Sequence, residues 1–178
     1  LIGLNNSGKT SVLQAIGFLS AIASAKVGHW LGLRNWNPGQ IKSHFRKSRM
    51  TAFELRFVLQ ERNYSWSGVL DISSLSCDSE RICRTDDASP PLLRVEGGFY
   101  HLGEAGKSVD FEYEGSVLGV LREQVLGPEL ARIRHFLRSV SASEALNPML
   151  IRKHAGPGEH SLSIGGEGLS GFLHRLPE

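Results

Sequence analysis

Residues 3–10 constrain this chain more than any other stretch. They read Gly3-Leu4-Asn5-Asn6-Ser7-Gly8-Lys9-Thr10, a G-x-x-x-x-G-K-T pattern with every fixed position filled. Leu1 and Ile2 before it read as the end of a buried parallel strand. After it, Val12, Ile16, Leu19 and Ala23 recur at helical period, and Leu13 and Ile22 widen the apolar stripe. Strand, glycine loop and helix thus follow one another in the order that a phosphate-binding loop requires.

Each position has its own physical reason. Gly3 and Gly8 let the backbone curl where a Cβ would obstruct it. The curl turns the N–H groups of Leu4, Asn5, Asn6 and Ser7 inward as a nest for phosphate oxygens. A helix that begins near Gly8 adds unpaired N–H groups and its positive end. Lys9 is the candidate catalytic residue, a point charge that reaches the β- and γ-phosphates. The Thr10 hydroxyl is the candidate metal ligand, on an Mg²⁺ that bridges those phosphates. Ser11 donates near the α-phosphate. ATP and Mg²⁺ are therefore the expected cofactors. A glycine-rich helix cap beside a chance lysine would leave the offset of Lys9-Thr10 unexplained.

Bulk properties bound the class without choosing it. With 178 residues, 40% hydrophobic and 21% charged, the chain can bury a core and is not of disordered composition. A net charge of +2 is too small to point to a polyanionic partner. The apolar run at 12–25 is broken by Gln14, Gly17, Ser20 and Ser24 and is too short for a bilayer. Leu1 and Ile2 do not open a secretory leader, and the phosphate-loop pattern starts at Gly3, so the sequence is expected to begin inside a larger protein or to lack an ordered start; a cytoplasmic location is expected. Cys77 and Cys83 read as reduced thiols, with residues 78–82 between them as a polar surface turn.

The expected fold class is α/β: a P-loop NTPase lobe with an adjoining antiparallel β-meander and following helices. Residues 1–30 hold the loop and first helix (about 9–25), 50–115 the antiparallel strands, and 116–178 helices and loop, all as the N-terminal part of a single head. Gly28, Trp30, Gly32 and Trp36 read as loop, Pro38-Gly39 as a turn, and Gln40 to Phe45 as a helical turn or more. Phe53, Leu55, Phe57 and Leu59 alternate with Glu54, Arg56, Val58 and Gln60, and Tyr64, Trp66, Gly68 and Leu70 share a face of the next strand. With a turn at 61–63 this predicts a hairpin. Further strands are predicted at 91–95, 99–102 and 109–113. A helix at about 116–126 would bury Val117, Leu118, Leu121 and Val125, end at Gly127, and hand over at Pro128 to a second helix carrying Leu130, Ile133, Leu137 and Val140. Residues 141–160 read as loop and 167–176 as a short helix.

The loop and the residues after it, through Ser11-Val12-Leu13-Gln14-Ala15-Ile16, resemble the ABC-type ATPase heads related to RecF and SMC, most closely the predicted AAA-type ATPases grouped with overcoming-lysogenization-defect nucleases. Ile164-Gly165-Gly166-Glu167-Gly168-Leu169 and Phe172 to Leu176 resemble, more weakly, the segment before the helical lobe of such heads. The resemblance implies an ATPase in DNA repair, recombination or phage defence that sandwiches ATP between two protomers. It implies a homodimer, a C-terminal half of the same ATPase, and DNA as a partner. A nucleotide-binding subunit of a membrane transporter and a non-hydrolysing scaffold are the alternative readings. No apolar run ends in Asp-Glu, so this stretch lacks the catalytic carboxylate and is expected to bind nucleotide without turning it over. Asp86 and Asp87 read as solvated turn residues. Leu162 to Glu167 is a signature-like stretch with one inserted residue, read instead as a glycine turn. Gln40 and Gln124 stay unassigned for a water-sensing glutamine. Lys42, Arg46, Lys47, Arg49 and Arg56, near Trp30, Trp36 and Phe45, form a basic cluster read as a solvated rim, with nucleic acid as the competing reading. The chain has no Asn-Lys-x-Asp motif for guanine, and the long hairpin region argues against a small kinase.

Overall fold

The computed structural model describes residues 9–41 and 48–140. By internal contacts the chain forms two compact units, Leu1–Ser20 with Ser139–Glu178, and Ala21–Arg138. Most of the described structure lies in the second. The predicted strand at Leu1-Ile2, the loop at 141–160 and the helix at 167–176 lie outside the described residues.

Helix α1 spans Lys9–Ala23, close to its predicted extent. Its last turn is buried at Ala21, Ile22 and Ala23, whereas Val12 in the first turn is 47% exposed. The chain leaves the helix through Ala25, whose φ is 55°. The next segment departs from expectation: Val27–Gly32 is a short helix, α2, not a loop. Val27, Trp30 and Leu31 are buried on its inner side, and that burial outweighs the poor helix propensity of Gly28 and Gly32. The predicted turn at Pro38-Gly39 is a 3-10 turn over Pro38–Gln40, capped by Asn37. Of the predicted helical turn from Gln40 to Phe45, only Gln40 and Ile41 are described.

A six-stranded antiparallel sheet follows, with its strands in sequence order: β1 (Met50–Leu59), β2 (Arg62–Asp71), β3 (Ser76–Arg84), β4 (Leu93–Glu96), β5 (Phe99–Leu102) and β6 (Ala105–Ser108). The expected meander is therefore present. The sheet of the described residues is antiparallel throughout and is not the parallel sheet that carries a P-loop in compact NTPases.

The β1–β2 hairpin holds ten residue pairs, from Met50↔Asp71 to Leu59↔Arg62. Its turn is tighter than predicted. Gln60 and Glu61, at φ 51° and 63°, make the two-residue connection, so Arg62 and Asn63 belong to β2. Left-handed φ at both positions suits the right-handed twist of the flanking strands. The core face of the sheet carries Tyr64, Trp66, Leu70, Ile82, Leu93 and Val95, all buried. Phe53 packs edge-on to Trp66 at 4.8 Å between ring centres.

Two strand assignments needed correction. The stretch between Cys77 and Cys83 is not a surface turn but the heart of β3. Leu70 pairs with Cys77 and Val69 with Ser79, which leaves Asp78 as the extra residue of a bulge. The bulge breaks the alternation, so Cys77, Glu80 and Ile82 all point inward. The last strand among the described residues is Ala105–Ser108, not 109–113. Its partner β5 starts at Phe99, opposite Ser108, so beyond Val109 no strand remains to pair with. Residues 109–115 instead cross toward β3, where the Tyr113 hydroxyl donates to the Cys77 carbonyl and the Cys77 N–H donates to the Gly115 carbonyl at 2.8 Å.

The predicted helix over 116–126 is shorter and broken. Helix α3 covers only Val117–Val120, and α4 spans Glu123–Ser139 with a break at Gly127, φ 73°. The handover from Gly127 to Pro128 is as expected. Val117, Leu118 and Leu121 are buried, as are Leu130, Ile133 and Leu137, but Leu126 takes the inward place expected for Val125, which is 38% exposed.

Gly115 is the tightest joint. Its φ is +67°, and a Cβ there would lie 2.4 Å from the Ile22 carbonyl oxygen. Gly115→Ala should destabilise the protein by about 3 kcal/mol, the sum of left-handed strain and a backbone clash. A shift of the denaturant midpoint at unchanged m-value measures it; a neutral substitution would refute this account of the joint.

Candidate functional site

The first turn of α1 is the described edge of the phosphate-loop candidate. From Lys9 on the chain is helical, and Thr10 and Ser11 are exposed. The first turn contains no acidic residue. A helix start leaves its first four N–H groups without intrahelical acceptors, and here no neighbouring carboxylate in that turn competes for them. Gly3, Leu4, Asn5, Asn6, Ser7 and Gly8 lie outside the described residues, and Lys9 is described only as the first residue of the helix. The exposed hydroxyls of Thr10 and Ser11 suit hard oxygen ligation of Mg²⁺ and hydrogen bonding to phosphate.

The other end of α1 is anchored. The Ile22 carbonyl accepts from the Ala25 N–H at 3.1 Å and from the Ser116 N–H at 2.9 Å. The Ala23 carbonyl accepts from Arg138 Nε at 3.3 Å, and a second nitrogen of Arg138 donates to the Gly119 carbonyl. Arg134 donates to the Leu121 carbonyl at 2.6 Å. Two arginines of α4 thus satisfy carbonyls where α1 and α3 end, the place where the helix dipole favours a cation.

Glu80 lies at the centre of the second unit and is 2% exposed. Trp66 Nε1 donates to its Oε1 at 2.8 Å, the Ser116 hydroxyl donates to the same oxygen, and the Val117 N–H donates to its Oε2 at 3.1 Å. Ser116 in turn caps α3, its hydroxyl accepting from the Leu118 N–H at 2.9 Å. Burial pushes the Glu80 carboxyl above the usual range, while the hydrogen bonds from Ser116, Trp66 and Val117 pull it back. A second carboxylate, Glu129, receives Arg84 on both oxygens and the Tyr64 hydroxyl at 3.0 Å. The hydrogen bond from Arg84 is the main reason its carboxyl is held low.

The remaining sequence candidates are not brought together. Asp86 accepts from the Asn63 N–H and side chain at 2.7 and 2.6 Å, and Asp87 from the Ser89 N–H at 3.0 Å. Both are exposed turn residues, as read, and those hydrogen bonds lower both carboxyls. Cys77 and Cys83 are free; burial raises the Cys77 thiol beyond the reach of ordinary titration. Gln40 spends its side-chain oxygen on the Asn37 N–H at 2.7 Å, and Gln124 is exposed on α4. Of the basic cluster, Lys42, Arg46 and Lys47 lie outside the described residues. Arg49 pairs with Asp71 at 3.3 Å and Arg56 with Glu54 at 2.8 Å, which fits a solvated rim. A groove of about 760 Å³ runs past Asp78, Glu112 and Glu114, and its acidic lining would repel a triphosphate. Among the described residues no cluster of His, Cys, Asp or Glu could hold a metal ion, and no helix is long and apolar enough to cross a membrane.

A family profile described as "AAA domain, putative AbiEii toxin, Type IV TA system" matches residues 1–94, just over half of the chain. The chain belongs to this family. The match runs from the phosphate-loop candidate of this AAA domain through α1 and the first strands of its sheet into β4. Searches of curated proteins and of solved structures find no match.

The sequence reading missed Glu80 because the Asp78 bulge hides it; the one signal was a lone Glu between two half-apolar stretches. Glu80→Ala would leave Trp66, Ser116 and Val117 donating to nothing and should cost about 3–5 kcal/mol. The folded pKa of Glu80 is raised, so its contribution to stability is complete below the unfolded value of about 4.3 and is lost as pH rises through the folded value. The lowered carboxyls of Asp71, Asp86, Asp87 and Glu129 act in the opposite sense, losing stability as pH falls through their folded values. Stability curves of wild type and Glu80→Gln should therefore diverge on the alkaline side of the carboxylate range, with the variant flatter. Parallel curves would show that folding leaves the Glu80 carboxyl at its unfolded pKa.

Proposed function

We propose that this AAA domain binds the triphosphate of ATP through Gly3 to Ser11, as the first half of an ABC-type ATPase head. The observation that carries the reading is the helix that runs on from Lys9, with Thr10 and Ser11 exposed and no acidic residue in its first turn. The sequence before it supplies glycines at both ends of the loop. In this reading the N–H groups of Leu4 to Gly8 and of the first helical turn cradle phosphate oxygens, Lys9 neutralises the β- and γ-phosphates, and Ser11 donates near the α-phosphate. Thr10 holds Mg²⁺, which when bound supplies charge neutralisation between the phosphates.

Hydrolysis needs a carboxylate that positions water, and the one adjacent acidic pair weighed for that role in the sequence, Asp86 and Asp87, is committed to turn hydrogen bonds. We therefore assign binding to this stretch and turnover to the assembled head, in which a second protomer and a C-terminal half complete the site. DNA as the acted-on partner rests on the resemblance to RecF- and SMC-type heads.

The test is calorimetric titration of the chain with a non-hydrolysable Mg²⁺–ATP analogue, beside Mg²⁺–GTP. Lys9→Ala should weaken binding at least about tenfold, or ~1.4 kcal/mol, with an unchanged thermal transition. Equal binding by the variant would remove the phosphate-loop assignment. Turnover by this chain alone, abolished in Lys9→Ala, would overturn the division between binding and hydrolysis.

A further inference from the structure

We propose that the outer face of the sheet is a platform for single-stranded nucleic acid, built on Arg81, Arg94, Phe99 and His101. The inner face buries Ile82 of β3, Leu93 and Val95 of β4 and Tyr100 of β5. Alternation along each strand turns the residues beside them the other way, and Arg81, Arg94 and Phe99 are exposed there. The register sets three of these groups in one row across neighbouring strands. Arg81 of β3 is paired with Arg94 of β4, and Arg94 with His101 of β5.

This row is costly to the protein alone, because like charges directly opposite on adjacent strands repel. Elsewhere on the same face the cost is removed: Arg56 meets Glu54 at 2.8 Å. Arg81 and Arg94 have no such carboxylate among the described residues. Arg81 Nε donates to Cys83 Sγ at 3.2 Å, which holds the guanidinium along β3 and leaves its terminal nitrogens for an outside acceptor. Among the described residues Arg94 has no hydrogen-bond or ionic partner.

The rings are a second, separate observation. Each stands beside a position without bulk on β6. A Cβ at Gly106 would lie 2.6 Å from the His101 ring, so that ring lies over the β6 backbone. Phe99 is paired with Ser108 and is 51% exposed. Arg81 likewise faces only Ser67 on β2. The outcome is a shelf with two rings on one face of β5, ~6.7 Å apart along the strand, beside two guanidinium groups. Rings take nucleobases by stacking, whatever the base, and guanidinium groups take phosphate oxygens. Glu96, opposite Phe99, repels phosphate, which keeps the backbone on the arginine side and the bases over β5. A duplex hides its base faces and cannot use the rings. An acidic protein segment would meet the arginines but gain nothing from Phe99.

The surface does not involve the phosphate loop, so binding is measured without nucleotide, and Lys9→Ala should bind as wild type does. Fluorescence anisotropy of the full chain with labelled oligothymidine and oligouridine, each of about 12 nucleotides, should show saturable binding to at least one strand and weaker binding to a duplex of equal length. Phe99→Ala should weaken binding at least about fivefold without changing its salt dependence. Arg81→Ala and Arg94→Ala should each reduce the slope of log K against log salt by about 0.7. Arg56→Ala, which removes a neutralised arginine, should change neither quantity. Unchanged thermal transitions show that these exposed substitutions leave the fold intact. No binding to either strand, binding indifferent to Phe99 and to both arginines, a duplex bound as tightly as the single strand, or polyglutamate bound as tightly would each overturn the proposal.

Discussion

A carboxylate with almost no water around it governs how the second unit is joined. Glu80 projects from the central part of the sheet into the core, and a bare charge there would be costly. The three donors that relieve this cost come from β2, from the residue before α3 and from the first turn of α3. Each therefore has a defined place relative to β3. Ser116 binds the carboxylate through its side chain and the Ile22 carbonyl through its N–H, so the last turn of α1 is tied to the same point. An apolar residue at 80 could fill the volume but would not dictate where α3 begins.

The geometry that follows is economical in contacts. Gly115 lets the chain pass within van der Waals reach of the Ile22 carbonyl, and Ser116 can then reach it. Arg138 and Arg134 return from α4 to the carbonyls left at the ends of α1 and α3. Glu129, at the start of the second segment of α4, joins Arg84 and Tyr64. The Phe57 ring stacks on Tyr64 at 5.5 Å and on Phe136 at 5.2 Å. The helix is thus fixed at one end by ionic contacts and along its length by aromatic ones.

What could be read from residues alone follows from the range of the forces involved. The helix after Gly8, the alternation of Phe53 to Leu59 and the Gly127-Pro128 break are local patterns, and the structure carries all of them. The failures are places where a distant partner decides. Burial of Trp30 and Leu31 makes a helix from a segment with two glycines. One inserted residue at Asp78 shifts the phase of β3, so a strand with Glu at a core position looks like a polar turn. Residues 109–113 alternate as a strand should, yet β5 has ended and no neighbour remains. For the candidate site the position is reversed. The glycine, lysine and threonine spacing was legible at once, because phosphate chemistry is local to the loop, and the described structure adds the exposed, acid-free start of α1.

The same asymmetry bears on where selectivity for a nucleotide would reside. Phosphate groups are recognised by backbone N–H groups and one lysine, which every triphosphate satisfies equally. Discrimination between bases needs side chains placed against the ring, and a hydrogen-bonding site rejects an analogue far more strongly than an apolar one. Around α2, Trp30, Trp36 and Arg34 pack together, with the guanidinium 3.8 Å from the centre of the Trp30 ring. These groups already engage one another: Trp30 and Trp36 meet edge-on at 5.7 Å, and Arg34 donates to the Trp30 carbonyl. On the proposed reading, the phosphate loop alone would therefore not distinguish one nucleoside triphosphate from another.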